Sequence, residues 1–191
     1  MPSPDAADVE AEVRRWLERV VIGLNLCPFA AKPASAGTIS IAVTEARDEE
    51  TLLTELHAQL MRLDDRDAGE LETILLVIPR MLQVFDRFNQ FLDLADALLD
   101  EFGWAGTYQI ASFHPRYRFD GTEPDARENL TNRAPYPILH LLREASLDEA
   151  LASYPNPEAI PARNIRHMER LDAEQVRELF PYLDSGYKTA V

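Results

Sequence analysis

Cysteine is almost absent from this chain: Cys27 stands alone among 191 residues, so no internal disulfide can staple it. A lone thiol suits a reducing cytoplasm. Glycine is scarce as well, with seven residues in all. No P-loop, no dinucleotide-binding glycine pattern and no nucleophile elbow is present. Long apolar runs are missing. The longest, Ile74 to Ile78, is far short of the roughly 20 residues that a membrane helix requires. The opening Met1-Pro2-Ser3-Pro4-Asp5 lacks the basic and apolar regions of a signal peptide. Positive charge is short too, with 19 Lys and Arg against 33 Asp and Glu and a net charge of −14. That balance repels nucleic acid and anionic membrane surfaces, so neither is expected as a partner.

What remains is an ordinary globular composition, 46% hydrophobic and 27% charged, in a length that suits one domain with one core. Val9, Val13, Trp16, Leu17, Val20, Val21 and Leu24 recur at helical spacing and predict a first helix from about Asp8 to Gly23, with residues 1–7 as a flexible tail. Pro28 breaks the chain after Cys27. Thr38 to Thr44 alternates as a strand does. Asp48 is placed to cap a helix whose buried stripe is Leu52, Leu53, Leu56, Leu60 and Leu63. Thr73 to Ile78 reads as a central strand covered on both faces and stopped by Pro79. A third helix carries Val84, Phe88, Phe91, Leu92, Ala95, Leu98 and Leu99 inward and ends before Gly103. Gly106 to Phe113 gives a third strand. The expected fold class is therefore α/β: a single domain with a βαβαβ core and a small sheet of about three strands, preceded by one helix and followed by C-terminal helices. In that last third, Pro137 is placed to open a short helix. Ser146 to Glu149 and Asp172 to Gln175 have the form of capping boxes, and Pro155 to Pro161 reads as an ordered surface connection.

One loop stands out. Residues 114–135 have no predicted element, and loops of that length inside compact domains are usually functional or disordered. Tyr117, Phe119, Leu130 and Tyr136 give it apolar anchors, and it begins where a strand ends, the position at which open α/β sheets bind ligands. From Ser112 to Glu144 the five arginines 116, 118, 127, 133 and 143 balance five carboxylates, so the rest of the chain carries the whole −14. Such a stretch can make a local anion site.

The candidate catalytic residues are Cys27, His114 and His140. Cys27 is either a nucleophile or a small buried hydrophobe. His114 is either a general acid/base or a ring bonded to loop backbone. If the two meet, they form a nucleophile–base pair. Arg116, Tyr117, Asn129, Asn132, Arg133, Arg143 and Glu144 are candidate ligand-binding residues. Arg133 and Arg143 are read as a bidentate clamp, and His140 and Arg143 as neighbours one helical turn apart. Their alternative role is to satisfy the backbone of a long loop. Zinc held by Cys27, His114 and His140, completed by Asp120 or Glu144, is a further alternative that no ligand spacing supports. His57 and His167 are read as surface residues. The expected partner is a small anionic molecule; no cofactor and no oligomeric state is assigned.

Trp16 with Val20-Val-Ile-Gly-Leu-Asn-Leu-Cys-Pro-Phe29, Ser112-Phe-His-Pro115, and Glu128-Asn-Leu-Thr-Asn-Arg-Ala-Pro-Tyr-Pro137 with Leu139-His-Leu-Leu-Arg-Glu144 resemble a bacterial family, domain-of-unknown-function family 1415. The resemblance runs from about Val9 to Leu183. It implies a bacterial single-domain protein with no assigned activity, and it carries over no site residues. The readings thus stand as an enzyme or binder of an anionic ligand, a non-catalytic ligand-binding or interaction module, or a metalloprotein.

Overall fold

The computed structural model describes residues 5–183. Asp5 caps helix α1 (Ala6–Trp16) by accepting the Ala7 N–H, so part of the expected tail is helical; residues 1–4 of that tail lie outside the described residues. The helix continues as a wider π-helix, Leu17–Ile22. Gly23 follows it because a Cβ there would stand 2.4 Å from the Arg19 carbonyl oxygen. Asn25 then takes a left-handed backbone, φ 52°, which asparagine tolerates better than most residues, and the chain turns through Cys27 into α2 (Ala31–Ala36).

Strand β1 (Ile39–Val43) leads into α3 (Glu49–Asp64). The Asp48 carboxylate caps α3 through the Thr51 N–H at 2.8 Å and the Thr51 hydroxyl at 3.0 Å, and these bonds hold its pKa below the usual carboxylate value. Leu52, Leu56, Leu60 and Leu63 are fully buried, each worth about 1.5–3 kcal/mol of transfer free energy. Strand β2 (Thr73–Val77) is buried at every residue. Helix α4 (Phe85–Glu101) buries Phe88, Phe91, Ala95 and Leu99 and leads to β3 (Tyr108–Phe113).

A 3-10 helix, Arg127–Asn132, interrupts the long loop. The chain then forms β4 (Ile138–Arg143) where a helix was expected. Pro137 opens a strand because its carbonyl accepts the Ile78 N–H and because the vacancy between β2 and β3 offers a ladder on both sides. Helix α5 (Glu144–Ser153) starts directly after β4, so Ser146 lies inside it and caps nothing. A short 3-10 turn (Pro157–Ala159), α6 (Ile160–Arg170) and α7 (Ala173–Leu179) complete the helices. The expected capping box of Asp172 and Gln175 is formed at the start of α7.

Among the described residues the strands make one sheet of four rather than three, in the order β1-β2-β4-β3. β1 and β2 are parallel; β4 runs antiparallel to β2 and to β3. Side chains alternate across the sheet. Ile41, Leu75, Val77 and Ile138 pack on one face with α1, the π-helix, Met168 and Phe180. Ile74, Leu76, Ile78, Leu139 and Leu141 pack on the other with α3 and α4. The result is a three-layer α/β architecture with helices on both sides of the sheet.

Candidate functional site

The loop after β3 is built by polar side chains that bond its own backbone. His114 is fully buried between the rings of Phe85 and Phe88, on the α4 face of the sheet. Its Nδ1 accepts the Arg116 N–H at 2.9 Å, so Nε2 carries the proton and donates to the Leu82 carbonyl at 3.0 Å. That contact holds Leu82 in a left-handed conformation, φ 56°. Burial, reinforced by the charges of Arg116 and Arg133 against the bond to Leu82, pushes the imidazole down to about 4. A neutral ring with both nitrogens engaged positions a turn.

Asn129 is fully buried. Its Oδ1 accepts the Phe119 N–H and the Thr122 hydroxyl, and its Nδ2 donates to the Glu123 carbonyl. Asn132 donates to Ser112 and accepts from Thr131. Arg133 directs Nε to the Tyr117 carbonyl and Nη2 to that of Pro124. The Arg133 carbonyl in turn receives Trp16 Nε1 at 3.0 Å and the Tyr182 hydroxyl at 3.2 Å, tying the loop to α1 and to the segment after α7. Tyr117 packs against Phe85 and Phe119, while the Arg116 side chain is exposed.

The expected clamp is not assembled. Arg143 lies on β4, on the face opposite His140 by the strand's alternation. Its guanidinium covers the C-terminal end of α3: Nη2 reaches the carbonyls of Leu63 and Arg66 at 2.6 Å each, and Nε and Nη2 both reach that of Leu71. It also bonds the Tyr108 hydroxyl, which donates to Asp64 at 2.8 Å. Burial and the Asp64 carboxylate push that phenol up to about 12. Glu144 opens α5, its N–H bonded to the Thr107 carbonyl.

His140 points to the α1 face of the sheet. Thr73 gives its hydroxyl proton to the Leu141 carbonyl at 2.6 Å, which leaves His140 Nε2, 2.8 Å away, as the donor to Thr73. Burial pushes this imidazole down to about 4 as well.

Cys27 is half-buried and packs against the α1-face core. Cys27 and His114 therefore lie on opposite faces of the sheet, and the expected nucleophile–base pair is not formed. Among the described residues no three His, Cys, Asp or Glu side chains converge, so the proposed zinc ligands Cys27, His114 and His140 do not meet, nor do Asp120 or Glu144 complete a set with them. Around the thiol, Arg163 donates to the Asn25 carbonyl at 2.6 Å and to the Tyr154 hydroxyl, and Asn164 to the Leu26 carbonyl at 2.7 Å. Burial raises the thiol pKa; the N–H groups of Phe29 and Ala30 and the charge of Arg163 act against that rise. Of the two histidines read as surface residues, His167 is exposed, while His57 is half-buried against Phe102 and Trp104.

Sequence reasoning missed a different concentration of charge. Along the outer edge of β1 runs a crevice of about 270 Å³ lined by Arg14 of α1, Arg62 of α3, Arg66 just beyond α3, Glu10, Glu70 and the strand itself. Arg14 pairs with Glu10 at 2.7 Å. Arg62 donates to Ser40 Oγ and to Gln59. No carboxylate pairs with Arg62 or Arg66 among the described residues. Three segments far apart in sequence supply these groups, and none carries a motif. Only the i,i+4 spacing of Glu10 and Arg14 was legible, and it signals helix support.

Fold and site together define a three-layer α/β protein with a self-bonded loop beside one end of its sheet and an arginine-lined edge strand. No helix among the described residues is long and apolar enough to cross a membrane. The chain belongs to the family described as protein of unknown function (DUF1415), whose model matches residues 8–178. No curated protein and no solved structure matches it.

Proposed function

We propose that this chain is a non-catalytic binding module that takes an anionic group at the crevice of Arg14, Arg62 and Arg66. The observation that carries this reading is that Arg62 and Arg66, neither paired with a carboxylate among the described residues, line one crevice with Arg14 in a chain whose net charge is −14. Guanidinium forks suit carboxylate and phosphate, and a local positive spot on an acidic molecule draws anions selectively. The engagement of His114, Asn129 and Arg133 in backbone bonds supports a scaffold role for the loop. The single cysteine favours a reducing, cytoplasmic setting.

The test follows the Nε–H resonances of Arg62 and Arg66 by NMR while inorganic phosphate, then succinate, is added at low salt. Saturable shifts, lost in the double variant Arg62→Gln/Arg66→Gln and weakened by salt, are expected. Resonances that do not move with either anion overturn the reading.

A further inference from the structure

We infer that the occupant of the crevice is an extended peptide segment that alternates apolar and acidic residues and adds as a fifth strand to the free edge of β1, an inference that rests on the anion-binding reading above. Among the described residues β1 is an edge strand, paired with β2 alone. The Thr38 carbonyl accepts from Glu72 and the Thr44 N–H donates to Val77, so both point toward β2. Backbone direction alternates along a strand. Ile39, Ile41 and Val43 therefore turn their N–H and C=O groups outward, and Ile39 and Ile41 line the crevice. Its floor is a comb of donors and acceptors at strand spacing, the template that strand addition uses.

The surroundings select the occupant. An added strand sends successive side chains to opposite faces of the sheet. On the α1 face it meets the side chains of Ile39 and Ile41, which pack with that core, and Arg14 already paired with Glu10. Apolar residues fit there. On the α3 face it meets Arg62, which bonds Ser40 of the strand, and Arg66, neither paired with a carboxylate among the described residues. Acidic residues fit there, with Glu70 the one carboxylate of the crevice left to oppose them. A second copy of this chain fits poorly, because antiparallel pairing of two β1 edges brings Arg62 and Arg66 of each copy against those of the other. Charged edges commonly block such self-association.

The test uses the isotope-labelled full chain at low salt with a capped hexapeptide of alternating valine and glutamate. Three control peptides accompany it: a valine–lysine counterpart, and two valine–glutamate peptides N-methylated on one or the other set of alternate residues. The expected result has three parts. The Ile39, Ile41 and Val43 amides exchange at least about tenfold more slowly when the valine–glutamate peptide saturates, which is the strand-pairing signature. Methylation of the set that pairs abolishes this protection at unchanged charge. The Arg62→Gln/Arg66→Gln variant binds about tenfold more weakly, the loss of two exposed ion pairs. Because the methylated peptides leave the protein untouched, the result does not depend on how the variant folds.

The two readings fail differently. If inorganic phosphate and the peptide both move the Arg62 and Arg66 resonances but the three amides stay unprotected, the anion site stands and strand addition is wrong. If neither ligand moves them, both readings fall. Protection of the three amides that appears without peptide and grows with protein concentration identifies a second copy as the occupant and overturns the acidic-peptide inference.

Discussion

Acid should undo this protein through His114, and the amount can be worked out. The folded imidazole is pushed down to about 4 from an ordinary value of 6.5. Between those values the unfolded chain binds a proton that the folded chain refuses. Stability from this group is fully present above pH 6.5, falls as pH drops through the window, and is gone below about 4. The 2.5-unit difference at ~1.4 kcal/mol per unit amounts to about 3.5 kcal/mol, with a steepest slope near 1.4 kcal/mol per pH unit. The physical cause is specific: protonating Nδ1 evicts the Arg116 N–H from its acceptor and buries a charge between Phe85 and Phe88. His140 titrates over the same range, so two imidazoles act together on a native state worth about 5–15 kcal/mol in total. The assay is urea unfolding from pH 7.5 to 4.5, comparing wild type with His114→Asn. That variant can keep the Arg116 bond through Oδ1 but no longer titrates. Carboxylates contribute equally to both chains, so the difference isolates His114. The variant should start less stable at pH 7.5, having lost the Leu82 bond and ring packing, and should lose stability less steeply on acidification. Parallel curves, or a His114 ring resonance titrating near 6.5 in the wild type, would refute the reasoning.

Arg143→Leu leaves the carbonyls of Leu63, Arg66 and Leu71 without their guanidinium, so unfolding should cost about 3 kcal/mol less while phosphate still moves the Arg62 resonance; loss of the phosphate response in a folded variant would return Arg143 to the binding site. Asn129→Ala strips the Phe119 N–H and the Glu123 carbonyl of their side-chain partner, while the Thr122 hydroxyl keeps the Phe119 carbonyl. About 2–3 kcal/mol of destabilisation is expected, with faster amide exchange confined to residues 116–126; uniform exchange would place the defect elsewhere. Glu45→Gln removes the carboxylate partner of Arg80; Arg80 is 15% and Glu45 60% exposed, so the change should destabilise by about 1 kcal/mol at low salt and by less at high salt. An equal loss at both salt concentrations would show that the pair is not screened by solvent.

The elements with strong periodicity were legible because one force decided them. The leucines of α3 and the alternation of β1 needed only a face to bury. β4 was not legible. Ile138 to Arg143 is a short apolar run behind a proline, and local preference cannot choose strand over helix there; the open ladders of β2 and β3 choose it. Ser146 failed as a cap for the same reason, since α5 begins where β4 ends. At the site, residue types were legible and partners were not. His114, Asn129 and Arg143 carry the right chemistry for catalysis or anion binding, but long-range backbone groups such as the Leu82 and Leu63 carbonyls claim them. The edge crevice left no trace because Arg14, Arg62 and Arg66 are ordinary surface residues until the fold brings them to one strand.

The last of the described strands to leave the ribosome goes to the middle of the sheet. Until residues 138–143 are available, β2 and β3 have no common neighbour, and each presents a bare hydrogen-bonding edge. The nascent chain up to Phe113 can form the β1–α3–β2 crossover and lay α4 beside it, yet β3 has nothing to pair with. Assembly of the sheet thus waits for a single insertion that satisfies two edges at once, making strand closure a late and all-or-none event in synthesis. A chain interrupted between Ser112 and Pro137 would be left with its most apolar strand, β2, open on one side, and would be an aggregation hazard rather than a smaller working version of the protein.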